Sequence, residues 1–72
     1  MAQTINENLR MTWDATVVVV HSTREAIVIA RRRGLTWFDL EEWVWQQQRW
    51  QTLGTWATDH TGRFVSIPAS EQ

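Results

Sequence analysis

From Ser22 to Gly54 the chain reads STREAIVIARRRGLTWFDLEEWVWQQQRWQTLG. This stretch carries two helix-start signals, each with its own stop. Ser22 and Glu25 have capping-box spacing, in which Ser22 accepts from the N3 amide and Glu25 reaches back to the Ser22 amide. Gly34 then suits the left-handed position that ends a helix, and Leu35 the hydrophobic position after it. Thr36 restarts at once, with Asp39 at N3 and Leu35 and Leu40 spaced as a hydrophobic staple. This predicts helices over 23–33 and 37–53, closed by Gly34 and Gly54. Two helices joined by so short a turn must cross at a steep angle.

The remaining elements are read around that pair. Thr4 and Glu7 repeat the capping-box spacing, which predicts a short helix over 4–12 with Ile5 and Leu9 on one face. The valine run 17–20 predicts a strand over 15–21, because β-branched side chains fit a pleated surface. Residues 55–58 and 63–67 read as two strands around the turn Asp59-His60-Thr61-Gly62, with Asp first and Gly last as a type I turn prefers. The tail 69–72 is left without structure. An alternative stays open at 26–30, where Ala-Ile-Val-Ile-Ala also suits a strand; a hairpin with 17–21 would then make the domain mostly β.

At 72 residues the chain is one domain with a small interior. Six tryptophans must supply much of the core. The expected core is Leu9, Val17, Val19, Ala26, Ile27, Ile29, Ala30, Leu35, Leu40, Trp43, Val44, Trp50, Phe64 and Ile67. Cysteine is absent, so neither a disulfide framework nor a thiolate metal site is available. No stretch approaches the length of a membrane span, and no signal-peptide pattern is present, so the expected location is the cytoplasm. The formal net charge of −1 gives no bulk attraction to nucleic acid, although all seven basic side chains are arginine.

The order helix, strand, helix, helix, strand, strand resembles the winged helix-turn-helix superfamily over nearly the whole chain. Ala30, Gly34, Leu35, Thr36, Leu40 and Val44 carry the likeness in the two-helix unit. Leu53-Gly54 stands at the exit to the wing, and Gly62-Arg63-Phe64-Val65 leads into its second strand. The stretch from Gln46 to Thr52 departs from the pattern by lengthening the second helix. The resemblance implies an α+β winged helix-turn-helix domain and a DNA-binding regulator. In it the second helix enters the major groove of duplex DNA and the wing arginine Arg63 lies near the minor groove. The DNA-binding set would be Arg24, Arg31, Arg32, Arg33, Thr36, Gln46, Gln48, Arg49, His60 and Arg63.

The residue chemistry of the second helix points elsewhere. Its core side would hold Leu40, Trp43, Val44 and Trp50, and its outer side Phe38, Glu41, Glu42, Trp45 and Arg49. Acidic groups there repel phosphate, whereas exposed aromatics beside an arginine are typical of protein interfaces. Trp45 and Arg49 are spaced for a cation–π pair on a helix. The second hypothesis is therefore a protein-interaction module that docks a protein partner, or a second copy, through Phe38, Glu41, Glu42, Trp45 and Arg49. The plainer possibility that Phe38 and Trp45 are covered stays open. No catalytic constellation, metal-ligand cluster, cofactor motif or small-molecule site is evident. Asp59 and His60 fit turn chemistry, and Glu41 and Glu42 point apart on a helix. The chain is expected not to be an enzyme.

Overall fold

A computed structural model describes residues 8–68. The elements are β1 (Leu9–Trp13), β2 (Thr16–Val20), α1 (Thr23–Arg32), β3 (Trp37–Val44), β4 (Arg49–Thr58) and β5 (Phe64–Pro68). The strands form one antiparallel sheet in the order β2-β1-β3-β4-β5. β2 and β3 both run antiparallel to the strand between them, so they are parallel to one another. Their connection must cross a face of the sheet, and α1 makes that crossing.

Each side of the sheet follows from period-two patterning. Leu9, Met11 and Trp13 of β1 are buried, as are Val20 of β2, Phe38 and Leu40 of β3, and Phe64 of β5. They lie beneath α1, which contributes Ala26 and Ala30, one turn apart, as its buried pair. Ile27, Ile29, Leu35, Val18 and Trp56 pack around this core. The opposite face has no helix over it among the described residues.

The signals around α1 act as the sequence implies, with one change of partner. The Ser22 hydroxyl accepts from the Glu25 amide at 3.1 Å. The Glu25 carboxylate accepts from the His21 amide at 2.6 Å instead of from that of Ser22. That bond from the His21 amide is the main reason its pKa lies below the ordinary carboxylate value. The helix ends in a Schellman motif: Leu35 N–H donates to the Ala30 carbonyl at 2.9 Å and Gly34 N–H to that of Arg31 at 3.2 Å. Gly34 sits at φ 69°, in the left-handed region.

The winged helix-turn-helix expectation is overturned. The described residues contain one helix, not a steeply crossed pair, and 37–53 form β3, a turn and the first half of β4. Phe38 and Leu40 are buried while Trp37, Asp39 and Glu41 face the other way, a period of two that no helix has. β-favouring Trp37, Phe38, Trp43, Val44 and Trp50 outweigh the local cap at Thr36. The run Gln46-Gln47-Gln48, placed mid-helix by the sequence, is a hairpin turn with Gln48 at φ 52°. The helix expected over 4–12 is also displaced, since Leu9–Trp13 is a strand; its earlier part lies outside the described residues, as does the tail 69–72. The alternative strand at 26–30 is helix, so the domain is mostly β by a different route.

The core changes accordingly. Val17, Val19 and Ile67, expected inside, are exposed, and Trp43 and Trp50 are only partly buried. Met11, Trp13, Val20 and Phe38 take their place.

Candidate functional site

Cross-strand register assigns the side chains of the open face. Val19, Arg10, Glu41 and Thr52 form one row across β2, β1, β3 and β4. Val17, Thr12, Asp39, Thr55 and Ile67 form the next. Trp37, Ala57 and Val65 form a third, and Trp43 lies opposite Trp50 at the other end. Between Leu40 and Glu41 the register shifts, because Leu40 pairs with Gly54 while Glu41 pairs with Thr52. Leu53 is thus the extra residue of a β-bulge, and the bulge keeps Thr52 and Thr55 on one face.

The rows differ in chemistry. Arg10 Nε donates to Glu41 Oε1 at 2.6 Å, with side chains 25% and 21% exposed. The same guanidinium lies over the Trp50 ring, 4.0 Å from its centroid. Trp50 packs edge-on against Trp43 at 5.6 Å, and Trp43 against Trp45 at 5.8 Å. The Trp43 indole N–H is buried within this cluster and donates to no oxygen or nitrogen acceptor. In the next row Thr55 Oγ1 donates to Asp39 Oδ1 at 2.6 Å. Arg10 and Glu41 therefore match each other's charge within the face, and Asp39 accepts from a hydroxyl. Its margins are apolar: Val17, Val19, Trp37, Val65 and Ile67 are all exposed.

Trp45 is the most prominent of these side chains, 64% exposed in the β3–β4 turn. The turn closes with Gln47 N–H on the Val44 carbonyl at 3.1 Å and Gln48 N–H on that of Trp45 at 3.3 Å. Arg49 Nε donates to Gln47 Oε1 at 2.7 Å.

The protein-interaction set named from the sequence does not share a surface. Phe38 is completely buried and tilts against Phe64 with ring centroids 5.6 Å apart. Glu41 is on the open face, whereas Glu42 pairs with Leu9 and so belongs to the opposite side. Trp45 stands in the β3–β4 turn and Arg49 at the start of β4, but Arg49 bonds Gln47 and Trp45 meets Trp43, so the expected cation–π pair is replaced. Arg10, Trp43 and Trp50 complete the cluster. The signal that could have found them is the Trp-Val/Arg-Trp alternation on either side of a polar four-residue turn.

The DNA-binding set separates into two ends of the molecule. Gln46 and Gln48 lie in the β3–β4 turn and Arg49 begins β4, while His60 and Arg63 occupy the β4–β5 turn at the far end of the ten-residue β4. At ~3.3 Å per residue those turns are about 30 Å apart. Arg31, Arg32 and Arg33 lie toward the β4–β5 end: Arg31 is 5.8 Å from the centroid of Phe64 and Arg33 5.5 Å from that of Trp13. Arg24 is on the first turn of α1 and Thr36 precedes β3, its carbonyl accepting from Thr58 N–H at 3.0 Å. Among the described residues there is no second helix, and so no reading helix to enter a groove.

The β4–β5 turn is held by Asp59. Its Oδ1 accepts from the Thr61 hydroxyl at 2.6 Å, the Thr61 amide at 2.8 Å and the Arg63 amide at 3.1 Å. These bonds, the Thr61 hydroxyl first, lower its pKa below the ordinary aspartate value. The turn chemistry read from Asp59 and Gly62 thus has its donors identified.

Among the described residues no group of histidine, aspartate and glutamate is arranged to hold a metal ion, and no pocket opens. No described helix is long and apolar enough to cross a membrane. No family model, curated protein or solved structure matches this chain.

Proposed function

We propose that the chain is a protein-binding domain whose partner lies on the open face of the sheet, anchored by Trp43, Trp45 and Trp50. The carrying observation is the combination of that tryptophan cluster with Arg10 stacked on Trp50 and neutralised by Glu41. Tryptophan and arginine are the residues that most often dominate protein interfaces, because they offer large apolar area with few rotatable bonds to order. The partner is a polypeptide surface with apolar side chains for the valine and isoleucine margins. Phosphate is a poor match, since Arg10 is already satisfied and Asp39 and Glu41 stand beside it.

The test is affinity capture by the wild-type chain, by Trp45→Ala and by Arg24→Ala, each first shown folded by circular dichroism. A partner retained by wild type and Arg24→Ala, and lost with Trp45→Ala, is the expected result. Equal retention by the wild-type chain and both variants removes the cluster from the interface. Titration of random-sequence duplex DNA at low and moderate salt is the counter-test. Tight binding that weakens steeply with salt would replace the protein reading.

A further inference from the structure

Among the described residues β2 is an edge of the sheet, and its outward backbone groups add a second feature beside the open face. Its sequence is Thr-Val-Val-Val-Val, without charge, glycine or proline. Edge strands usually carry such residues, or a bulge, to prevent pairing with another chain.

The direction of its backbone groups follows from two observations. Trp43 N–H donates to the Asn8 carbonyl at 2.8 Å, so Asn8 points its backbone toward β3. Backbone groups alternate along a strand, so Arg10 and Thr12 also point toward β3, and Leu9, Met11 and Trp13 toward β2. Their partners Val20, Val18 and Thr16 therefore use their amides and carbonyls on β1. Val17 and Val19 turn theirs outward. Both side chains are on the open face, 53% and 57% exposed.

We propose that two copies of the chain associate through β2, antiparallel about a twofold axis at Val18. That register sets Val17 of each copy opposite Val19 of the other. The outward amides and carbonyls then form two reciprocal hydrogen-bonded pairs. Residues opposite one another share a face, so the valines at 17 and 19 of both copies become one apolar patch on the open side. Val18 meets its own mate on the helix side. No like charges are brought opposite within the strand. The product is a continuous sheet across both copies, a closed isologous dimer with no repeating edge at β2. An extended peptide from another protein could use the same donors, but it would not give the concentration dependence of self-pairing.

Sedimentation equilibrium of the full chain from low micromolar to millimolar concentration reads the association. Hydrogen exchange of the Val17 and Val19 amides over the same range reads the surface. The expected result is a monomer–dimer equilibrium, with both amides becoming protected as the dimer fills. V19P removes only an outward donor and spares the ladder to β1, as proline does on an edge strand. It should raise the dimer Kd by ~30-fold, with circular dichroism unchanged. V17K places a charge near its twofold mate and serves as the second variant if V19P perturbs the fold. A monomer throughout the range overturns the proposal. So does a dimer that keeps its Kd in a folded V19P or V17K chain, or one in which both amides exchange freely.

Discussion

Phe38→Ala separates the strand from the helix that its sequence imitates. On a helix Phe38 would stand outside, and its loss would cost little. In β3 it is wholly buried between α1 and the sheet, 5.6 Å from the Phe64 centroid. Truncating a buried phenylalanine costs about 3–5 kcal/mol through lost transfer energy and the cavity left behind. A chain of this size has on the order of 4–10 kcal/mol in total. The variant should therefore lose a third or more of its stability. Urea unfolding followed by circular dichroism measures the change. With a slope of about 1 kcal/mol per molar, the midpoint should fall by ~3 M or the chain should be unfolded in water. Trp45→Ala, at a site 64% exposed, should stay within ~1 kcal/mol of wild type. A Phe38→Ala midpoint near that of wild type, together with collapse of Trp45→Ala, would refute the placement of both side chains.

Three further outcomes follow from local geometry. A double-mutant cycle of Arg10→Met and Glu41→Gln should give a coupling of ~0.5–1 kcal/mol in denaturant, because the pair is partly shielded and stacked; additivity would mean that it contributes nothing. Gly34→Ala should cost ~1 kcal/mol, since Gly34 is held at φ 69° although open space surrounds its Cα; an unchanged melting temperature would deny that conformation. The lowered pKa of Asp59 means that its bonds stabilise the native state fully above the ordinary aspartate value of about 4. That contribution should disappear as pH falls through the depressed native value, so Asp59→Asn should show a shallower loss of stability with acid than wild type.

Much of the α1 region was legible because its signals are local. Ser22, Glu25 and Gly34 act within a few residues of themselves, and the cap and Schellman bonds confirm them. The strand at the valine run 17–20 was equally plain, but its expected inward pair, Val17 and Val19, is exposed while Val20 is buried. The β3–β4 hairpin was misread because Thr36-x-x-Asp39 and Leu35/Leu40 imitate a helix start, while Leu40, Trp43 and Val44 also satisfy helical spacing. The strand is decided by non-local partners: Met11 beside Leu40 and Trp50 beside Trp43. Those partners are invisible in a local window. The open face was illegible for the same reason, since Arg10 and Glu41 are 31 residues apart and meet only through register.

The position of β1 in the sheet has a kinetic consequence. β1 pairs with β2 through a two-residue turn, and β3, β4 and β5 pair in succession through short turns. Among the described residues, only the β1–β3 ladder joins strands far apart in the chain. The molecule is thus two locally closed halves with one long-range seam, and α1 sits in the loop that the seam must close. Local hairpins form within microseconds, whereas closing that loop carries an entropic penalty before its contacts are gained. The slow step of folding is therefore predicted at the seam, where Arg10, Met11 and Thr12 meet Glu41, Leu40 and Asp39 in turn.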